Sequence, residues 1–131
     1  MLFYSQTRGE FSNADGEIIS IGWYAGGDMG TVPEAVNNPA FQFVPDVGPL
    51  PQNVYTASPM HVVPRVGPCM TLTPDDPLAM HGRGGMLLHC NNPTRPPRSS
   101  SEGCAVAPSL AELNHIAALV EGGENRITVT A

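Results

Sequence analysis

Residues 82–107, GRGGMLLHCNNPTRPPRSSSEGCAVA, contain the pattern that decides the expected fold. The apolar run Gly85–His89 predicts a strand, and Ala105-Val106 begins another. Between them, residues 91–101 include three prolines and three serines, a composition typical of a loop. The stretch therefore predicts a strand ending in His89, a connecting loop, and a second strand that begins after Cys104.

Short apolar segments between turn residues predict further strands on both sides of this stretch. They are Leu2–Tyr4, Glu10–Ser12, Glu17–Tyr24, Phe41–Val44, Val54–Tyr55, Pro68–Thr73 and Ile127–Val129. Asn13-Ala14-Asp15-Gly16 is a hairpin-turn signal, because Asn, Asp and Gly tolerate positive φ. Residues 26–39 are rich in Gly, Asn and Pro and predict a long surface loop.

One helix is predicted near the C-terminus. Ser109 and Glu112 form a capping box at its start, and Gly122-Gly123 supplies its end. The apolar face expected for this helix consists of Leu110, Leu113, Ala117 and Val120. Many strands and one helix predict a mainly-β single domain over residues 1–131, a β-sandwich or squashed barrel with one C-terminal helix.

Length and charge argue against several classes of protein. The chain of 131 residues fits one domain, and its net charge of −6 is the opposite of what a nucleic-acid binder needs. No apolar run approaches the ~18 residues of a membrane span. Residues Met1–Ser5 lack the basic and apolar regions of a Sec signal, so we expect synthesis in the cytoplasm without one.

Three cysteines, Cys69, Cys90 and Cys104, leave at least one thiol unpaired within the chain. They lack the Cys-x-x-Cys spacing of a zinc site, and we expect neither a metal nor a cofactor. Because side chains alternate along a strand, Cys90 should point away from the face that holds His89. We expect three free thiols, since a protein made without a Sec signal folds in a reducing compartment.

The pair His89 and Cys104 is the strongest candidate for chemistry. Attack on a carbonyl needs a thiolate, a base and donors for the oxyanion, and a histidine beside a cysteine lowers the pKa of the thiol. Gly103 lets the backbone approach closely, so amides around Gly103-Cys104 are candidate oxyanion donors. The alternative is that Cys104 is a small buried hydrophobe and His89 a core histidine, and the residues alone leave both open.

The order of motifs along the chain resembles the L,D-transpeptidases, and within them the branch related to type VI secretion effectors. His89, fourteen intervening residues and Ser101-Glu102-Gly103-Cys104 fit the family frame. The other matching motifs are Phe3-Tyr4, Gly22-Trp23-Tyr24-Ala25-Gly26, Asn37-Asn38-Pro39, Val47-Gly48-Pro49-Leu50-Pro51 and the run from Gly82 to His89. The chain departs from the family at Cys90, where Gly is frequent, and at Glu102, where many members have histidine.

The resemblance implies a cysteine enzyme that acts on peptidoglycan stem peptides. Cys104 would attack the carbonyl that precedes the terminal D-alanine of a tetrapeptide, releasing D-alanine and leaving a thioester. Water would then give L,D-carboxypeptidase activity, a free D-amino acid would give exchange, and a second stem would give a crosslink. His89 would act first as base and then as acid, with the carbonyl of Cys90 orienting its second nitrogen.

Residues near His89 and Cys104 are candidates for substrate contact, and the resemblance also implies partners. Arg83 is expected to bind a substrate carboxylate, with a structural ion pair as the alternative. Ser101, Glu102 and His81 are further candidates for substrate contact, and His81 has a solvated turn residue as its alternative. An effector of this branch would be delivered by a secretion apparatus to the periplasm of a target bacterium, and an immunity protein would protect the producer.

Other functions remain open at this point. A papain-like cell-wall amidase places its cysteine before its histidine, which is the reverse of the order here. A non-catalytic wall-binding or interaction module that keeps the fold would need no activated cysteine. A metal site built from His81, His89 and Cys90 would match no strong ligand spacing.

Overall fold

The computed structural model describes residues 1–91, 94–95 and 100–131. The loop predicted over residues 91–101 therefore lies partly outside the described residues, at positions 92–93 and 96–99. The described residues form a mainly-β structure with one α-helix near the C-terminus, which confirms that part of the prediction. None of the helices in this part of the chain has the length and apolar character needed to cross a membrane.

Ten short strands, one α-helix and the 3-10 helices Pro33–Ala35, Pro39–Phe41 and Pro77–Met80 make up the regular structure of the described residues. The strands are β1 Leu2–Ser5, β2 Glu10–Ser12, β3 Ile18–Ser20, β4 Tyr24–Ala25, β5 Asn53–Ala57, β6 His61–Val63, β7 Gly67–Pro74, β8 Leu87–Cys90, β9 Ala105–Ala107 and β10 Arg126–Thr130. The helix, α1, spans Leu110–Glu121.

The strands form an open mixed sheet in the order β3-β2-β1-β10-β5-β7-β8-β9-β4, with β6 paired to β7. Two of the pairings are parallel, β1 with β10 and β8 with β9, and the others are antiparallel. A parallel pair needs a crossover connection, and the predicted loop between His89 and Cys104 belongs to the crossover from β8 to β9.

The two ends of the strand order lie close together. β3 ends at Ser20 and β4 begins at Tyr24, and a link this short spans at most about 14 Å. The ring of Trp23 packs edge-on against Phe11 of β2, with 4.7 Å between the ring centroids. The short link therefore keeps the end of β3 and the start of β4 within about 14 Å of each other, in a sheet that is open.

Helix α1 begins and ends as the sequence predicts. The side chain of Ser109 accepts a hydrogen bond from the amide of Glu112, and Gly122 is the C-terminal cap. The carboxylate of Glu112, however, accepts a hydrogen bond from the hydroxyl of Ser20, 2.6 Å away. The buried face of the helix comprises Leu113, Ile116, Ala117 and Val120, whereas the predicted Leu110 is 49% exposed.

Side chains on the central strands separate into two sets. The set that includes Ala25, Leu88, Met70, Ala105 and Ala107 belongs to the hydrophobic core. The intervening residues Tyr24, Val106, His89 and Cys69 are paired in that order across β4, β9, β8 and β7. Since paired residues point to the same face, His89 lies on the face opposite the core, and Cys90 packs against the core as expected.

The strand predicted at Phe41–Val44 is wrong. Pro39–Phe41 is a 3-10 helix, because the side chain of Asn38 caps it and a proline at its first position favours a helical turn. The following Phe43 and Val44 are 41% and 42% exposed, so their apolar character reflects no burial in a strand.

Candidate active site

The parallel pairing of β8 with β9 brings His89 and Cys104 to one face. His89 is paired with Val106, and Cys104 precedes Val106 by two residues. Extended geometry places residues two apart on the same side, so the thiol of Cys104 lies on the face that holds His89. Both side chains line one cavity of about 310 Å³, which also includes Leu87.

His89 is buried, and its imidazole is oriented by the backbone. Its Nδ1 lies 3.0 Å from the carbonyl oxygen of Cys90, the contact that the family resemblance implies. Because a carbonyl only accepts, Nδ1 carries the hydrogen, which leaves Nε2 as the acceptor. Burial lowers the pKa of His89, and the hydrogen bond to Cys90 opposes this less strongly. His89 is therefore a neutral base at neutral pH, with Nε2 as the nitrogen that accepts a proton.

The thiol of Cys104 is half-buried, and its Sγ lies 3.9 Å from the carbonyl oxygen of Gly85. Burial raises the pKa of Cys104. Hydrogen bonds from the backbone of Leu87 and of Cys104 itself, and the charge of Arg83, lower this pKa but do not cancel the effect of burial. The expected lowering of the thiol pKa is thus wrong, because desolvation of the thiolate outweighs the donors around it.

The resting pair is consequently a neutral thiol and a neutral imidazole. No hydrogen bond joins Cys104 to His89 among the described residues, so nothing there holds an ion pair in place. Such a pair can still react, provided that the imidazole accepts the proton as the sulfur attacks.

Arg83 is buried beside Cys104, and its guanidinium binds backbone carbonyls. One terminal nitrogen donates to Gln42 and Pro49, at 2.7 Å each, and the other donates to Gly48 and Glu102, at 3.1 Å each. Four of the five N–H groups are therefore engaged, and only the Nε–H is left for a substrate group. These contacts favour a structural role for Arg83. Its partners are backbone carbonyls, whereas the structural alternative given above was an ion pair.

Gly103 is required where the chain passes Arg83. A Cβ built at this position would lie 2.1 Å from a guanidinium nitrogen of Arg83, and φ of Gly103 is +145°. The close approach expected at Gly103 is thus an approach to Arg83. The amide of Gly103 donates to the hydroxyl of Ser101 over 3.0 Å, so it is not a free oxyanion donor.

Ser101 closes the turn that presents Cys104. Its hydroxyl donates to the carbonyl of Cys104 over 2.7 Å and accepts from the amides of Gly26 and Gly103. The residue is 1% exposed. These contacts favour a structural role for Ser101 over substrate contact, because every part of the hydroxyl already has a partner.

The two remaining substrate candidates differ in position. Glu102 is exposed and lines two cavities that meet at Cys104, so it is placed to touch a ligand. His81 stacks on Phe43 with 3.9 Å between ring centroids, and it lines neither of these cavities. With its left-handed φ of 51°, His81 fits the turn residue given above as its alternative.

Tyr24 is a site residue that sequence reasoning missed. Its buried hydroxyl donates to the side chain of Asn91 over 2.5 Å and accepts from the amide of Ser100 over 2.9 Å. Asn91 follows β8 and Ser100 precedes Cys104, so one hydroxyl holds both ends of the connection that carries the two reactive residues. The motif Gly22–Gly26 marked this position in the sequence, but only as part of a resemblance.

Cys69 and His61 form a thiol–imidazole contact outside the cavity of Cys104 and His89. The Sγ of Cys69 lies 3.7 Å from Nε2 of His61, and Thr71 is 3.3 Å from the same nitrogen. Cys69 is fully buried, and burial raises the pKa of its thiol. All three cysteines are free, as expected, but this one is protonated and enclosed.

We expect Gly103→Ala to lower the free energy of unfolding by about 2–4 kcal/mol, because the new methyl group collides with Arg83 at a strained φ. Gly84→Ala is the matched control, since a Cβ there meets nothing within 4 Å. Urea unfolding of both variants measures the difference. Equal midpoints for the two variants would contradict the proposed packing of Gly103 against Arg83.

In comparisons with known proteins, no family model matches the chain, and no curated protein or solved structure matches it significantly.

Proposed function

We propose that this chain is an L,D-transpeptidase-like cysteine enzyme that acts on the tetrapeptide stems of peptidoglycan. The observation that carries the proposal is the shared cavity of His89 and Cys104, with Nδ1 of His89 held by the carbonyl of Cys90. An imidazole whose Nε2 accepts a proton, in the same cavity as a thiol, is what general-base activation of a nucleophile requires.

In the proposed reaction, Nε2 of His89 takes the thiol proton as Sγ of Cys104 bonds to the substrate carbonyl carbon. The resulting imidazolium then gives this proton to the amine of D-alanine as the peptide bond breaks, and a thioester remains. The backbone amides of Leu87 and Cys104, which already lower the pKa of the sulfur, are the nearest candidates to stabilise the oxyanion. Hydrolysis of the thioester, or its transfer to a D-amino acid, completes the cycle.

The proposal includes the family fold, a β-sandwich or squashed barrel. Its support is the short link between β3 and β4, the two ends of the strand order, in which Trp23 packs against Phe11 of β2. Closure of the sheet across these ends would give the short strands a common interior and leave the His89 face to the loops.

The biological role in the proposal is that of an antibacterial effector. Removal of terminal D-alanine depletes the donor stems of a rival cell wall, so the protein would act in the periplasm of a target bacterium. Delivery by a secretion apparatus and protection of the producer by an immunity protein belong to the same proposal. The motif order that resembles the effector branch is its support.

A second candidate is a non-catalytic wall-binding module. The neutral state of Cys104 and His89, with no hydrogen bond between them among the described residues, favours it, since a binding module needs no activated thiol. The two candidates differ in what happens to a tetrapeptide. An enzyme passes through a thioester on Cys104, whereas a module binds the peptide and returns it unchanged.

The test is incubation of the purified protein with tetrapeptide muropeptides, followed by mass analysis of peptide and protein. We expect loss of D-alanine from the peptide and, after rapid acid quenching, a mass adduct on the tryptic peptide that contains Cys104. Muropeptides that bind the protein but keep their mass would show that the chain is a binding module and not an enzyme.

The pH dependence of thiol alkylation follows from the directions of the pKa shifts. Only the thiolate reacts, and burial raises the pKa of Cys104, so half-maximal reaction with iodoacetamide should require a pH above the ordinary value of about 8.5. Mass spectrometry of the Cys104 peptide separates this signal from those of Cys69 and Cys90. Rapid alkylation at pH 6 would instead indicate a preformed thiolate.

The lowered pKa of His89 determines where kcat/KM falls at acidic pH. Burial lowers the pKa of His89, so kcat/KM should stay high as the pH falls to the ordinary histidine value of about 6.5 and be lost only below it.

A further inference from the structure

The cavity shared by His89 and Cys104 has an unusual charge for this protein. Arg65 and Arg95 both line it, and Glu102 is the one carboxylate in its lining among the described residues. The whole chain has six Lys and Arg against twelve Asp and Glu. Two positive charges beside His89 and Cys104 therefore stand out in a chain whose net charge is −6.

A second cavity, of about 260 Å³, meets the first at Cys104. The two share Gly85, Glu102 and Cys104, and the second one adds Asp46 and the already engaged Arg83. Cys104 thus lies between an arginine-rich side and a side whose own charges, Asp46 and Arg83, balance. A negatively charged part of a substrate is therefore favoured on the arginine-rich side.

The position of His89 decides which part of the substrate occupies each side. His89 lines the arginine-rich cavity and is absent from the lining of the other. The general acid must reach the nitrogen of the leaving group within hydrogen-bond distance. The leaving residue therefore lies on the side of Arg65 and Arg95, and the acyl part extends toward Asp46.

We propose that Arg65 and Arg95 form a carboxylate-binding subsite for the residue that leaves, an inference that rests on the proposed function. Guanidinium groups bind carboxylates through charge-assisted hydrogen bonds. A free α-carboxylate one residue beyond the scissile bond is the group that this subsite fits, so the subsite makes the enzyme an exopeptidase.

The backbone presents the two arginines from different elements. Arg65 lies in the turn between β6 and β7, with a left-handed φ of 71°, and no ion pair of the described residues includes it. Arg95 donates to the carbonyl of Met29 over 3.1 Å, which ties its guanidinium to another wall of the same cavity. Both side chains are exposed, so a carboxylate reaches them from solvent.

The experiment compares a disaccharide-tetrapeptide that has a free C-terminal carboxylate with the same compound as its C-terminal carboxamide. The wild-type protein should prefer the acid in kcat/KM by roughly 10-fold to 100-fold, the range expected for hydrogen bonds to a charged group. Arg65→Gln combined with Arg95→Gln should remove this preference, chiefly through KM. Arg8→Gln, which removes the same charge at a different pocket, should leave the preference unchanged.

The subsite is supported if the double variant loses the preference for the acid while the wild type and Arg8→Gln keep it. Equal turnover of acid and amide by the wild type, or an unchanged preference in the double variant, overturns the subsite while the proposed function stands.

If the wild type turns over neither compound, the proposed function fails, and binding decides the subsite separately. NMR titration with N-acetyl-D-alanine and N-acetyl-D-alaninamide is then the readout. Selective binding of the acid by the wild type and not by the double variant supports the subsite, and any other result overturns it.

Discussion

Cys104→Ala should abolish the release of D-alanine from tetrapeptides, with a fall in kcat of at least about 10⁴-fold, because the atom that forms the thioester is gone. The fold should survive. The side chain is small and half-buried, and its contact with Gly85 is a weak one of 3.9 Å. Circular dichroism and the urea midpoint of the variant should therefore match those of the wild type.

Cys90→Ala is the matched control for this variant, because it makes the same chemical change next to His89. The carbonyl that orients His89 belongs to the backbone and is kept, so Cys90→Ala should retain activity. Cleavage of tetrapeptides by folded Cys104→Ala protein would show that another group is the nucleophile.

Arg83→Ala should produce the largest loss of stability, about 3–5 kcal/mol of unfolding free energy. The buried guanidinium serves four carbonyls from three separate segments, at Gln42, at Gly48 and Pro49, and at Glu102. Removing it leaves these acceptors without their donor and releases the turn that presents Cys104. Such a loss is a large fraction of the 5–15 kcal/mol that stabilises a typical domain.

Two further variants separate the possible roles of Arg83. Arg83→Lys keeps the charge but lacks the planar fork, so it should recover only part of the stability. Arg126→Ala breaks the exposed pair with Asp75 and should change the urea midpoint little. If Arg83→Ala keeps the wild-type midpoint and loses only kcat/KM, then Arg83 binds substrate, as its position near His89 suggests.

The sequence singled out His89 and Cys104 as the candidate pair because the signal of each residue is local. His89 ends one apolar run and Cys104 precedes another, and a short crossover between neighbouring strands keeps such residues close. The cap at Ser109 and the stop at Gly122 were predictable for the same reason, since each depends on a few consecutive residues.

The roles of the residues around the pair were not predictable in this way. Arg83 and Ser101 looked like substrate contacts, yet each has partners from distant segments, such as Gly48 for Arg83 and Gly26 for Ser101. Tyr24 gave no chemical signal, although its hydroxyl joins Asn91 to Ser100. Hydrogen-bond partners so far apart in the chain leave no spacing pattern to recognise.

The sequence by itself determined the mainly-β class, the single helix and the order in which the histidine and cysteine occur, because hydrophobic period and turn chemistry are local properties. Only the tertiary structure decided the protonation state of the pair and the charge of the cavity around it. Burial raises the pKa of Cys104 and lowers that of His89, and it depends on every segment that covers them. Likewise, Arg65 and Arg95 line one cavity only because the turn after β6 and the segment after β8 both lie beside Cys104 in the folded chain.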